Sequence, residues 1–354
     1  MTIEFRESRS LLKAYTECRL CPRRCGTDRS SGGGGFCGET GELRIAAASI
    51  HRGEEPPVTG LGGSGTIFIT GCTLGCLFCQ NWQISQGGMG KAVAPEEFSR
   101  ICMALQERGA ENINIVTGSH GTPAIISGIR LARSRGLKVP VLWNSSAYEG
   151  MEALSLLKDT VDIYLPDLKT LDSDMAGRFF RAPDYPKQAE AAILRMMELR
   201  GRLCWEYRAA PAGGETPVLV SGVMIRHLVL PDHPASTRKV LQWFAEHGRG
   251  RALLSLMTQY TPVDRNRTGE DPARPPGADR PPEKNLPPGE AIPQKQVGPR
   301  EYDRVLRWLE EFDIEEGFCQ ELVPGDEWLP DFRRTNPFSS ELSTPIWHWK
   351  TGFV

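Results

Sequence analysis

The sequence predicts an α/β protein, a partial (β/α)6 barrel open on one side, and three observations predict it. From about residue 66 to residue 260, short apolar runs rich in β-branched residues alternate with helical stretches, and six such strand–helix units can be counted. The runs read as buried strands by length and composition. The chain has 354 residues and is 40% hydrophobic, enough for a barrel core with additions at both ends. A doubly wound sheet has the same local pattern and is the alternative. No solenoid-type repeat is visible.

The elements follow in order. Leu43 to Ile50 is a candidate strand ahead of the barrel. Thr66 to Gly71 (TIFITG) is the first barrel strand, closed by a glycine. Pro95 to Gly109 is a helix with proline at its start and glycine at its end. Asn112 to Gly118 is the second strand, Ala124 to Arg135 its helix, and Val139 to Ser146 the third strand. Glu149 to Lys158 is helical and Val161 to Leu168 is the fourth strand. Two helical stretches, Ser173 to Arg181 and Lys187 to Arg200, precede a fifth strand at Gly222 to Leu230. Thr237 to His247 and Ala252 to Tyr260 supply the last helix and sixth strand.

The ends differ in composition, and four regions result. Residues 1–60 form a cysteine-rich extension, and residues 61–263 form the barrel. Residues 264–300 are rich in proline, glycine and charge. They bury too little apolar surface to offset their ordering entropy, so a flexible segment is expected there. Residues 301–354 begin with a helix from Glu301 to Phe312. They continue as a tail carrying Trp328, Trp347 and Trp349, too aromatic to be left in solvent and expected to dock on the barrel.

Lys and Arg number 42 against 44 Asp and Glu, a formal charge of −2, which gives no electrostatic case for nucleic acid or an anionic membrane. Charges interrupt any apolar stretch between Met1 and Tyr15, so no signal peptide is expected there. No run approaches the roughly 20 apolar residues of a membrane helix. A soluble, cytoplasmic protein is the expectation. In a reducing compartment, ten cysteines with seven in two short groups point to metal rather than disulfides.

Cys72, Cys76 and Cys79 form a C-x3-C-x2-C array directly after the first barrel strand. At this cysteine frequency, chance gives roughly 0.01 such triplets per chain. Three thiolates on one loop can hold one corner of a cubane iron–sulfur cluster and leave the fourth iron open, as catalytic metal sites keep an open position. The loop stands at the C-terminal end of a barrel strand, where such folds keep their active sites. A structural zinc knuckle or unrelated core thiols are the bland alternatives.

With Phe78 before its last cysteine, the array resembles the signature of the radical S-adenosylmethionine (SAM) superfamily. Phe78-Cys79-Gln80-Asn81-Trp82, Tyr164 to Lys169, Ala182 to Pro186, Arg226 to Pro231 and Gln259-Tyr260 are similar to the branch described as pyruvate formate-lyase activating enzyme-like. The similarity runs from about Cys18 to Tyr260, and again over Glu321 to Trp349. The resemblance implies a TIM-like partial barrel of radical SAM type. It also implies a [4Fe–4S] cluster whose open iron is chelated by SAM, and reductive cleavage to a 5′-deoxyadenosyl radical that abstracts hydrogen. Carried over residue by residue, it implies SAM contacts from Phe78, Gly118, Asn144, Ser145, Asp167, Lys169 and Arg226. It further implies an electron donor such as flavodoxin or ferredoxin, and a glycyl-radical protein as one candidate substrate. One departure stands out. Where glycyl-radical activating enzymes carry Gly-Gly-Glu, this chain has Thr117-Gly118-Ser119-His120-Gly121-Thr122-Pro123. The carboxylate is absent and His120 stands in its region, as a SAM contact, a proton donor or a helix cap.

Cys18, Cys21, Cys25 and Cys37 form a second, four-thiol set that suits tetrahedral zinc or a closed cluster, or carries no metal. Cys102, Cys204 and Cys319 read as ordinary core or surface thiols, and His227 as a core histidine. Three functions follow: activation of a glycyl-radical enzyme, radical SAM modification of a small molecule or peptide, and, least supported, a non-catalytic iron–sulfur or metal-binding module.

Overall fold

A computed structural model describes residues 11, 13–210, 213–263, 292–323, 325–326 and 328–354. Six parallel strands form the middle of one sheet: β2 (Ser64–Ile69), β4 (Ile113–Val116), β5 (Val141–Ser145), β6 (Ile163–Pro166), β8 (Glu215–Leu228) and β9 (Leu253–Met257), paired in that order. Every residue of β2, β4, β5 and β6 is buried. That is why these strands are continuous apolar runs in the sequence instead of alternating ones. The helices α3 (Pro95–Glu107), α4 (Thr122–Ser134), α5 (Met151–Leu157), α6 (Ser173–Phe180), α7 (Tyr185–Arg200) and α8 (Pro234–His247) make the crossovers that parallel pairing requires. Proline in the first turn sets the start of α3, α4, α7 and α8.

Further strands extend both edges. β1 (Leu43–His51) pairs antiparallel with β2 and continues into β11 (Ser343–His348) and β12 (Gly352–Phe353); β10 (Gly317–Cys319) lies parallel to β9. The short β3 (Lys91–Val93) pairs with β1. The ends β10 and β12 do not pair with each other among the described residues, so the sheet stays open, as a partial barrel does. Two helices not foreseen, α1 (Pro56–Thr59) and α2 (Trp82–Ser85), are single turns on either side of β2 and the cysteine loop.

The structure departs from expectation in two places. β8 starts at Glu215, not Gly222, because β7 (Cys204–Ala209) pairs with its first half as an antiparallel hairpin. The expected flexible segment, residues 264–300, lies outside the described residues as far as 291. Its last part is packed: Val297 is buried, the Pro293 carbonyl accepts from Tyr260 OH at 2.8 Å, and α9 (Pro299–Glu311) begins at Pro299 rather than Glu301. In the tail, Trp347 is fully buried on the sheet and donates from Nε1 to Glu97 Oε1 at 3.0 Å. No helix among the described residues is long and apolar enough to cross a membrane.

Candidate active site

The cysteine loop begins where β2 ends. Gly71 has φ +87°, and a side chain there would strike Glu39 and the Cys37 carbonyl, so only glycine can turn the chain into the loop. Cys72 Sγ accepts from the Leu74 amide at 3.4 Å, and Cys79 Sγ lies 3.3 Å from Ser85 Oγ. The Cys76 carbonyl accepts from Gln86 Nε2 at 3.0 Å, and the Leu77 amide donates to the Phe179 carbonyl at 3.0 Å. Burial pushes the Cys76 thiol up to about 12 and raises Cys72 as well. Thiolates at such positions need a compensating positive charge, which a bound metal centre supplies. Three soft thiols spaced over one loop are a donor set that fits a cluster with one open iron.

Across the same cavity, of about 310 Å³, stand the ends of β5, β6 and β8. Asp167 accepts from Lys169 Nζ through Oδ2 and from Arg226 Nε through Oδ1, both at 2.8 Å. Arg226 also donates to Asn144 Oδ1 at 2.5 Å and to Glu54 Oε2 at 3.1 Å. The main chain is fixed here too: Tyr185 OH donates to the Asp167 carbonyl at 2.6 Å and accepts from the Lys169 amide at 2.9 Å. Burial alone would raise the Asp167 carboxyl; Arg226 and Lys169 outweigh it and hold the group below its ordinary value. Lys169 is raised: burial opposes its charge, and Asp167 and the neighbouring Cys76 more than compensate. These charged groups hold one another at the strand ends before any ligand arrives.

Glu54 and Glu55 lie beside this network, contributed by the turn after β1, and sequence reasoning missed both. Glu54 accepts from Asn114 Nδ2 at 3.2 Å as well as from Arg226. Glu55 Oε1 accepts from Ser255 Oγ at 2.6 Å, while Oε2 accepts from no other described residue. Burial raises both carboxyls, with Arg226 opposing. The only sequence signal was a pair of acids directly before Pro56-Pro57, which reads as a solvated helix start. On the open side of the sheet the tail closes the cavity with Gln320, Trp328, Pro330 and Phe338.

Of the residues expected to touch SAM, Phe78, Asn144, Ser145, Asp167, Lys169 and Arg226 line this cavity together with the three cysteines. Phe78 is held edge-on among Phe179, Phe180 and Tyr260, at centroid distances of 6.1, 5.8 and 5.7 Å. Gly118 and His120 are not among the lining residues. A side chain at Gly118 would lie 2.6 Å from Trp143 Cη2, so glycine is needed there for packing. His120 is buried in the 3-10 turn Ser119–Gly121; its Nε2 is 2.7 Å from the Thr70 carbonyl, and it gives α4 no side-chain cap. Burial lowers its pKa to about 4. Thr117 lines the cavity instead, with φ +61°, a left-handed conformation uncommon for a β-branched residue. His227 is a satisfied core histidine, paired with the Leu168 carbonyl at 2.7 Å and Thr237 Oγ1 at 3.0 Å.

Three soft thiols on a strand-end loop thus face a charged network across one cavity of a parallel α/β sheet. Residues 66–204 match the family model of the radical SAM superfamily, a family that implies a [4Fe–4S] cluster and SAM. It is 28% identical over 256 residues to an uncharacterized protein of Methanocaldococcus jannaschii, covering 70% of this chain and 67% of that one. Among solved structures it is similar to a radical SAM methyltransferase from Sphaerobacter thermophilus, with TM-score 0.45, 13% identity, and 73% and 66% of the two chains covered. Streptococcus suis SuiB gives TM-score 0.44 at 12% identity, covering 71% of this chain and 47% of SuiB, so the match spans about half of that protein. A domain of a Bacteroides vulgatus pyruvate-formate lyase-activating enzyme gives TM-score 0.35 at 11% identity, over 56% of this chain and 91% of the domain.

Proposed function

We propose that this chain cleaves SAM reductively at Cys72, Cys76 and Cys79 and uses the resulting radical on a small molecule or the end of a peptide. One observation carries the reading: the three thiols and the Asp167–Lys169–Arg226 network line a single cavity. Bound there, the cluster and SAM supply an electron and a hydrogen-abstracting 5′-deoxyadenosyl group, chemistry that no side chain offers. The chain's own residues bind, orient and exclude water. Phe78, held in place by three aromatic rings, offers a fixed apolar wall to a flat base. Lys169, oriented by Asp167, offers a cation to a carboxylate. Trp328, Pro330 and Phe338 shield the open side of the sheet from solvent.

That tail wall favours a small substrate over the loop of a folded partner. The turn at residues 117–123 also lacks the acid of glycyl-radical activating enzymes. The reductant in this reading is a small electron carrier, flavodoxin or ferredoxin. The test is anaerobic reconstitution with iron and sulfide, then assay for 5′-deoxyadenosine with dithionite or reduced flavodoxin. Product dependent on SAM and on the three cysteines is expected. A fully loaded protein that makes none removes the proposal, and a glycine-centred radical signal on a partner protein would replace the small-substrate reading with the activase one.

A further inference from the structure

The N-terminal extension from Cys18 to Glu42 contains no helix or strand, yet it is packed against the barrel. Its four cysteines lie together. A Cβ on Gly35 would be 3.1 Å from Cys25 Sγ and 3.7 Å from Cys37 Sγ, and the Cys18 and Cys25 side chains are hydrogen-bonded. Three of the four sulfurs are served by the backbone amide two residues ahead: Cys21 by Arg23, Cys25 by Thr27 and Cys37 by Glu39. Cys72 has the same relation to Leu74 in the catalytic loop. The fourth, Cys18, faces Arg29 Nη1 at 3.7 Å. Each of the four sulfurs thus has a hydrogen-bond donor beside it.

The extension is also tied to the catalytic loop. Arg23, between Cys21 and Cys25, donates from Nε to the Thr73 carbonyl at 3.1 Å and from Nη1 to the Arg181 carbonyl at 2.5 Å. Arg29 Nη1 donates to the His120 carbonyl at 2.6 Å. The Cys37 carbonyl lies against Gly71, the residue before Cys72.

From this we infer that Cys18, Cys21, Cys25 and Cys37 hold a second metal centre, a closed iron–sulfur cluster, that braces the loop of Cys72 through Arg23. Four soft thiolates are the ligand set of a closed iron–sulfur cluster, in keeping with the cluster proposed for the adjoining loop, and zinc is the alternative that the test separates. A four-thiolate set leaves no iron open to SAM, so the centre is structural in this role.

The test uses full-length protein in which Cys72, Cys76 and Cys79 are all alanine, so its outcome is independent of SAM chemistry. After anaerobic reconstitution this variant should keep iron and sulfide in near-equal amounts, with a charge-transfer absorption near the visible. Adding Cys25→Ser, an exposed position where folding is least at risk, or Gly35→Val should reduce that iron several-fold. Cys204→Ser, also at an exposed thiol, should leave it unchanged. In the otherwise native chain, Arg23→Ala should retain the N-terminal iron and lower occupancy of the catalytic cluster. Zinc without sulfide in the triple-alanine variant overturns the cluster assignment. No metal at all, in protein whose circular dichroism matches the parent, overturns the site. Unchanged catalytic occupancy in Arg23→Ala overturns the bracing role.

Discussion

Replacing Asp167 by alanine removes the anion between two buried cations. Its carboxylate is 2.8 Å from both Lys169 Nζ and Arg226 Nε, and the three side chains are 18%, 20% and 12% exposed. Breaking such a pair costs about 3–5 kcal/mol, because the surviving charge stays buried without its partner. Arg226 keeps Glu54 and Asn144, so the penalty falls on Lys169, whose one hydrogen-bond partner through Nζ among the described residues is Asp167. Lys169 borders the cavity and water can reach it, which places the loss near the lower end, about 3 kcal/mol. The assay is anaerobic urea unfolding of cluster-free protein, where the midpoint should fall at unchanged slope. Adding Lys169→Met removes the stranded cation and should recover most of the loss. In reconstituted protein of unchanged iron content, SAM affinity should fall by roughly 1.5–3 kcal/mol, the range of a charge-assisted hydrogen bond. A stability loss under about 1 kcal/mol, or no recovery from Lys169→Met, would refute the network argument.

Single changes Cys72→Ala, Cys76→Ala and Cys79→Ala should each abolish 5′-deoxyadenosine formation; turnover persisting in all three would end the cluster assignment. Gly118→Ala should destabilise the fold by about 1–3 kcal/mol, since its methyl would lie 2.6 Å from Trp143 Cη2 in a filled core; an unchanged thermal midpoint would show that Trp143 can move. Burial lowers His51, His120 and His227 from 6.5 to about 4, so the native state binds fewer protons than the unfolded chain between those values. Their contribution is full above about pH 6.5 and is lost as pH falls toward about 4. Glu54 and Glu55, raised by burial, act in the opposite sense, so the comparison to make is between the parent and His227→Gln. The parent should lose more of its urea midpoint across that window, and parallel pH profiles would count against a buried neutral His227.

The barrel strands and their helices were legible because each is a local pattern. An apolar run buried on both faces needs no partner to be recognised, and proline and glycine mark the helix ends. What escaped notice depends on pairing at a distance. β7 carries Glu206 and Arg208 in a run whose outward residues are exposed, so nothing in its composition separates it from a loop; it becomes a strand only against the first half of β8. β11 is three hundred residues away from its partner β1 in the chain, and its aromatic residues showed that it would pack without showing where. Residues 292–298 share the composition of the segment before them, yet Tyr260 and Gly325 hold them in place.

The site divides along the same line. Cys72, Cys76 and Cys79 are legible because one metal cluster demands three ligands within eight residues, and chance rarely supplies them. Asp167 and Lys169 are legible as a pair at a strand end. Glu54 and Glu55 are not, because their partners, Arg226 and Ser255, lie 172 and 200 positions away. His120 shows the converse case. Its position in the sequence left a SAM contact, a proton donor or a helix cap open; the 3-10 turn directs its ring to the Thr70 carbonyl, and it is not among the residues that line the cavity. Among the lining residues, three carboxylates, Glu54, Glu55 and Asp167, face two cations, Lys169 and Arg226. In a buried space that excess of one acid is stable only with a proton or a bound cation. Two of those three carboxylates come from the turn after β1, a convergence in three dimensions that no local motif could display.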